Sequence, residues 1–79
     1  MSEKTKPLAL LSKDQKGRII SVHGGLGFRR RLNVLGIREG QIVKVVSKQP
    51  LRGPLTIAVN GCQMTMGRGM AHKILVEEI

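Results

Sequence analysis

A glycine-rich segment followed by arginines holds the residue types of this sequence that could do chemistry. It reads HGGLGFRRRLNVLG and spans residues 23–36. Backbone N–H groups of Gly24, Gly25 and Gly27 could converge on a phosphate at the start of a helix. Neither the GxxxxGKS/T pattern nor GxGxxG is present, however, since Arg30 stands where the last glycine of the second pattern would fall. We therefore expect these glycines to let a strand turn into a helix, and we predict no nucleotide site.

The arginines of this segment offer a second chemistry, because a guanidinium makes paired hydrogen bonds to carboxylates. Arg29, Arg30 and Arg31 are consecutive, and Asn33 follows two residues later. The pattern admits two interpretations, which are a solvated helix face and a docking patch for an acidic partner surface. Under the second interpretation, these three arginines and Asn33 are the predicted partner-binding residues.

Metal-ligating residue types are few and scattered along the chain. The candidate ligands are His23, Cys62 and His72, with acids such as Glu77 nearby. No CxxC or HxxxH spacing, which would mark a zinc site, is present. Three scattered ligands could still converge in a folded sheet, so the metal site stays open at this point. We expect no cofactor to be required.

The residues that could catalyse a reaction do not form a recognisable set. The serines, the single cysteine and the two histidines show no nucleophile–base pattern. The five acidic residues lie near the start of the chain, in a turn and at the end, and none reads as a paired carboxylate site. We therefore predict a protein that is not an enzyme.

A short helix must carry the arginines. Phe28, Leu32 and Leu35 recur at i, i+4 and i+7, which is the spacing of one helix face. We predict a helix over residues 28–35 with this face buried. Gly36 supplies the left-handed residue that often ends a helix. The arginines then lie on the other faces, near the last carbonyl groups, where the helix dipole favours positive charge.

Short strands surround this helix. Asn60 and Gly61 give the clearest turn, because both positions of a two-residue hairpin need positive φ and apolar residues alternate on either side. Residues 67–71 predict a tight connection such as one 3₁₀ turn. The predicted strands are 18–23, 41–48, 55–59, the returning strand with Met64 and Met66, and the last segment HKILVEEI. Five short strands and one inserted helix predict an all-β protein, a small five-stranded antiparallel barrel.

Size and charge allow one small domain with an anionic partner. The chain has 79 residues and a formal net charge of +9, so we expect a single domain over 1–79, with residues 1–6 frayed. No apolar run approaches the length of a transmembrane helix, and the first residues lack the apolar core of a signal peptide. We expect no membrane insertion. The lone cysteine favours the reduced, cytoplasmic compartment.

Three stretches in a fixed order carry a resemblance to a known family. They read GRIISVHGG, RRRLNVLGIREGQIVKVV and PLTIAVNGCQMTMGRGMAHKILVEE, and the match extends over residues 7–77. The features are an Arg-Leu helix ending in Leu-Gly-Ile, a glycine before a Val-rich strand and a hairpin of the form PLxIxVxG. With them the chain resembles the ferrous-iron transport protein A family, FeoA, whose members are small cytoplasmic SH3-like barrels.

The resemblance implies an accessory role in bacterial ferrous-iron uptake. The family's expected partner is FeoB, a membrane transporter with a cytoplasmic nucleotide-binding portion, which FeoA is thought to bind and regulate. Fe²⁺ association is implied by the family alone and is not supported by ligand spacing. A related domain ends the iron-dependent repressors of the DtxR type, but no DNA-binding domain precedes the match here, so we expect a standalone FeoA. Whether such a protein activates, restrains or scaffolds the transporter, and its oligomeric state, are left open by the sequence.

Nucleic acid is the alternative partner class for a small basic barrel. Single-strand binding uses aromatic stacking platforms, and this chain has no Tyr or Trp and only Phe28, which we expect in the core. The same lack of aromatics excludes the proline-peptide groove of signalling SH3 domains. Duplex binding through phosphates needs only positive charge and is the open alternative to protein docking.

Overall fold

Six strands, a 3₁₀ turn and two short helices make up the structure, a computed structural model that describes residues 5–51 and 53–79. In chain order they are β1 (Thr5–Pro7), the 3₁₀ turn (Leu8–Leu10), β2 (Lys16–Val22), α1 (Leu26–Val34), β3 (Ile42–Lys48), β4 (Leu55–Val59), β5 (Cys62–Met66), α2 (Arg68–His72) and β6 (Ile74–Glu78).

The strands form one antiparallel sheet in the order β1-β6-β2-β3-β4-β5. Inward and outward residues alternate along it, so that Leu55, Ile57 and Val59 of β4 are all buried. The pairing of β2 with β6 shifts register at Ile20, and that of β3 with β4 shifts at Val46. Such bulges bend a strand and increase its twist, so the sheet curls instead of lying flat.

A single apolar core fills the inside of the curled sheet. Its buried members come from β2 to β6, from α1 and α2, and from the segments after β1 and α1: Leu8, Ala9, Leu11, Ile19, Leu32, Ile37, Val43, Val45, Leu55, Ile57, Val59, Met66, Ala71, Ile74 and Val76. In the described part of the chain no polar or charged residue is buried with them. The predicted fold class, an SH3-like small antiparallel barrel, is confirmed.

Two helical segments pack against each other, and two cations hold the connecting segments in place. The 3₁₀ turn after β1 packs against α2, which follows β5. The Lys48 ammonium donates hydrogen bonds to the carbonyl oxygens of Ala9 and Leu11, each at 2.9 Å. Arg68 donates from Nε to the Gly53 carbonyl and from Nη2 to the Gln49 carbonyl, again at 2.9 Å. Burial lowers the pKa of Lys48, and the charge of Arg68 lowers it further.

The first strand corrects the predicted frayed start and the predicted count of five strands. Thr5 and Lys6, which were expected to be frayed, pair with Glu77 and Val76 of β6. The Lys6 ammonium also lies 2.8 Å from Glu78 Oε1. The sequence missed this strand because three residues are too few to show an alternating pattern, and their partners lie at the other end of the chain. Residues 1–4 fall outside the described part.

The other elements follow the sequence closely. The Asn60-Gly61 hairpin is confirmed, with φ of 53° and 76° at its two turn positions and Val59 opposite Cys62. Helix α1 begins at Leu26 and not at the predicted residue 28. The predicted 3₁₀ connection is instead the short α-helix α2. Among the described residues, no helix combines the length and apolar character needed to span a bilayer.

Substituting Lys48 tests how strongly its hydrogen bonds to the 3₁₀ segment stabilise the fold. Lys48→Met keeps the unbranched apolar stem of the side chain but leaves the carbonyls of Ala9 and Leu11 without their donor. We expect a loss of about 1–3 kcal/mol in the free energy of unfolding, the usual cost of a hydrogen bond to a charged group. Urea denaturation followed by circular dichroism measures it. Lys44→Met, on the same strand, is the matched control and should change stability by less than about 0.5 kcal/mol.

Candidate functional site

Helix α1 is fixed to the barrel by one side and by both of its ends. Leu32 is fully buried, and Phe28 packs against the core while partly exposed. At the C-terminal end, the Ile37 N–H donates to the Leu32 carbonyl and the Gly36 N–H to the Asn33 carbonyl, which together form a Schellman motif. Gly36 has a φ of +86°, as this motif requires.

The start of α1 depends on one glycine of the three that precede the arginines. Gly24 has a φ of +132°, and a Cβ there would lie 2.8 Å from Phe28 Cδ2. The ring of Phe28 is also covered by Lys73, whose ammonium lies 5.0 Å from the ring centroid. Gly25 and Gly27 face open space. The glycines therefore let the chain turn from β2 into α1, as predicted, and only Gly24 is required by its contacts.

A pocket of about 230 Å³ opens between α1, the end of β2 and the segment after the helix. Apolar side chains of Val22, Leu32 and Ile37 line it, together with the polar side chains of Arg29, Asn33, Arg38 and Glu39. Arg29 and Asn33 are one helical turn apart, so both reach the same side of α1.

The turn that carries the second arginine of the pocket is held by backbone hydrogen bonds. The Arg38 N–H donates to Gln41 Oε1 at 2.8 Å, and the Gly40 N–H donates to the Ile19 carbonyl at 2.7 Å. Gly40 has a φ of +91°, which permits the sharp turn. Arg38, which lines the same pocket as Arg29, is therefore presented from a fixed backbone.

The positive charges of the pocket are not neutralised within the described residues. The only ion pair found there joins Lys6 and Glu78, in β1 and β6. Glu39 lines the pocket, but its carboxylate forms no salt bridge with Arg29 or Arg38. Both guanidiniums are exposed and keep their full set of donors for an anionic group from outside.

The predicted partner-binding residues separate into two sets. Arg29 and Asn33 line the pocket, whereas Arg30 and Arg31 are exposed on α1 away from it. Arg38 was not among the predicted residues. Its position directly after Gly36 and Ile37, where the chain turns at the end of the helix, was the signal that could have indicated it.

Exposed apolar side chains accompany the arginines, and one of them corrects a prediction. Leu35, expected on the buried face, is 46% exposed, because the helix ends before it and the chain turns at Gly36. Leu26 and Val34 are 68% and 87% exposed and flank Arg30 at four-residue spacing. The outer side of α1 therefore presents apolar and basic groups together, which is the composition of protein interfaces.

The candidate metal ligands lie on three separate elements. His23 follows β2, Cys62 begins β5 and His72 ends α2, and all three are exposed. Over residues 5–51 and 53–79, no three His, Cys, Asp or Glu side chains come close enough together to hold a metal ion. The structure does not bring the three predicted ligands into one site.

A curled antiparallel sheet with one inserted basic helix defines a class of small SH3-like barrels, and comparison with known proteins identifies the family. The family model of the FeoA domain matches residues 6–78, so this chain belongs to the FeoA domain family. A curated relative from Methanocaldococcus jannaschii, named Fe(2+) transport protein A, is 35% identical over 72 residues, which cover 91% of this chain and 85% of the relative. The resemblance inferred from the sequence is confirmed.

Solved structures agree in fold. A crystal structure of an iron uptake regulatory protein (FeoA) has a TM-score of 0.88 at 28% identity, covering 95% of this chain and 99% of that one. The FeoA protein of Chlorobium tepidum has a TM-score of 0.83 at 33% identity, covering 92% of this chain and 70% of that one. A manganese-dependent transcriptional repressor reaches 0.89 at 15% identity over 44% of its length, which shows the shared fold alone.

Substituting Gly24 tests how α1 is held. Gly24→Ala forces a methyl group onto the Phe28 ring at a positive φ, so we expect a loss of about 1–3 kcal/mol in the free energy of unfolding. Hydrogen exchange of the α1 amides should become faster. Gly27→Ala, inside the helix and facing open space, is the matched control and should be neutral or stabilising by up to about 1 kcal/mol. Equal exchange rates in both variants would contradict this assignment.

Proposed function

We propose that this protein is a non-enzymatic, cytoplasmic accessory protein of ferrous-iron transport that docks onto the cytoplasmic portion of a FeoB-type transporter. Membership of the FeoA domain family and the similarity to Fe(2+) transport protein A support the transport role. One observation supports docking above the others: two arginines that form no ion pair with any described residue line one pocket, beside exposed apolar residues of α1.

The pocket suits an acidic side chain of the partner. Its volume of about 230 Å³ takes one side chain, and its apolar floor takes the methylene groups of a glutamate. Arg29 and Arg38 can each donate paired hydrogen bonds to the carboxylate, and the Asn33 amide adds a further donor. Fully exposed ion pairs contribute little, about 0–1 kcal/mol, so an interaction of useful strength needs this partly enclosed geometry.

The exposed residues of α1 supply the apolar part of the docking surface. Leu26, Val34 and Leu35 would be covered by the partner, and Arg30 and Arg31 would lie at its rim. Rim charges mainly accelerate association and contribute little to the lifetime of a complex. Docking then regulates the transporter by the differential affinity of this surface for two of its conformations.

Charge reversal in the pocket tests the proposal. Arg29→Glu/Arg38→Glu should weaken binding to the purified cytoplasmic domain of the transporter by about tenfold or more, because like charges then meet inside the pocket. Isothermal titration calorimetry measures the affinity, and circular dichroism verifies folding. Lys13→Glu/Lys16→Glu makes the same change in net charge on exposed residues at the opposite end of β2 and should weaken binding by less than about threefold.

Two outcomes would contradict docking through the pocket. Equal weakening by both double variants would mean that net charge alone attracts the partner. Tight binding of duplex DNA by the wild type, with no binding of the transporter domain, would establish the nucleic-acid alternative, and a steep loss of affinity with salt would accompany it.

A further inference from the structure

Strand β5 is a free edge of the sheet. Within residues 5–51 and 53–79 it pairs with β4 alone. Cys62, Gln63 and Thr65 are exposed, Met64 is half-buried, and only Met66 is buried. Most of the strand is therefore accessible from the side, where an edge presents its unpaired backbone groups.

The hairpin geometry identifies which backbone groups are unpaired. In a two-residue hairpin, the residues that flank the turn exchange both hydrogen bonds, and hydrogen-bonded and non-hydrogen-bonded pairs then alternate along the strands. Val59 and Cys62 flank the turn, so Gln63 and Thr65 fall at the non-hydrogen-bonded positions opposite β4. Their N–H and C=O groups point away from the sheet, toward the free edge.

The two edges of the sheet differ in how they are protected. Edge strands are usually blunted by shortness, charge, proline or bulges. The opposite edge, β1, has three residues, ends in Pro7 and ties Lys6 to Glu78. By contrast, β5 has five residues, CQMTM, with neither a charge nor a proline, and its register with β4 runs without a shift.

The β4–β5 hairpin itself also carries no charge. Residues 53–67 contain no Lys, Arg, Asp or Glu, which is the longest such run in a chain of net charge +9. Two copies of this chain repel each other in most orientations. An approach through the β4–β5 hairpin is the one that brings the longest uncharged stretch of each copy together, so it meets the least repulsion.

We propose that β5 pairs with β5 of a second copy of this chain, antiparallel and about a twofold axis at Met64. This register places Gln63 opposite Thr65 of the second copy, and the two residues exchange backbone hydrogen bonds. The symmetry-related pair does the same, so four bonds form. Because the interface is self-complementary and the β1 edge is protected, assembly stops at two copies and does not run on into a fibre.

The association is weak and has a distinctive salt dependence. A five-residue edge buries less than the roughly 1,200–2,000 Å² of stable interfaces, so we expect dissociation constants in about the 0.1–1 mM range. Salt screens the repulsion between the two positively charged copies and should strengthen the dimer. Docking onto an acidic partner should instead be weakened by salt, so failure of either proposal is distinguishable from failure of the other.

A position-specific disulfide tests the register. In the variant Cys62→Ser/Met64→Cys the two thiols lie at a non-hydrogen-bonded pair, with Cα atoms about 4.5 Å apart, inside the range of disulfides. Mild oxidation at about 0.5 M salt should give a covalent dimer on a non-reducing gel. The wild type is the control, because the two Cys62 residues would be four residues apart along the strand, about 14 Å. Equal cross-linking of both proteins would overturn the proposal.

A second variant tests the hydrogen bonds without a thiol. Gln63→Pro removes an outward N–H, and proline is tolerated on edge strands, so the hairpin should keep its own bonds. Sedimentation velocity at up to about 1 mM chain, the expected range of dissociation constants, should show concentration-dependent dimer for the wild type and monomer for this variant. Circular dichroism verifies that the variant folds. A wild type that stays monomeric at about 0.5 M salt, where repulsion is screened, would overturn the proposal.

Discussion

Burial of apolar side chains inside a small curled sheet is the constraint that shapes the rest of the molecule. Fifteen apolar residues fill this space, and in the described part of the chain no buried polar side chain interrupts them. A chain of 79 residues buries only about 60% of its unfolded surface, so no single flat sheet could protect such a core. The bulges at Ile20 and Val46, the packing of α1 and the contact of the 3₁₀ turn with α2 all help to enclose the core.

The same constraint keeps the charged residues of the described part of the chain out of the core and decides what the surface can do. With 14 basic and five acidic residues, the molecule carries a strong net positive charge. A uniform field attracts anionic surfaces without discriminating among them. Discrimination requires geometry, and the pocket beside α1 provides it, because hydrogen bonds to Gln41 and Ile19 hold the turn that brings Arg38 to the pocket that Arg29 also lines. The uncharged β4–β5 hairpin provides the opposite kind of surface.

Features with local causes could be predicted from the sequence, and features with distant causes could not. The turn at Asn60-Gly61 and the helix end at Gly36 follow from the backbone preferences of single residues, and both are where the sequence placed them. Strand β1 exists only because β6 offers it a partner more than 60 residues away, about the longest separation the chain allows. The three residues of β1 carry no sequence signal for that pairing.

The candidate site shows the same division. Arg29 and Asn33 were predicted because their helix could be inferred from a local apolar spacing. Arg38 was missed because its place in the pocket depends on the Schellman motif and on the bond from Gly40 to β2. Leu35 was misplaced because a periodic pattern does not show where the chain leaves the helix.

The cations that hold the connecting segments have a consequence for how sequences of this fold can change. Lys48 and Arg68 bind only backbone carbonyls, which every residue type provides. The exposed residues beside these carbonyls, Leu10, Gln49 and Pro50, are therefore free to vary as far as these contacts are concerned, whereas Ala9 and Leu11 are held in the core. Natural or designed substitutions can change the surface there, while the side chains of Lys48 and Arg68 keep the backbone path constant.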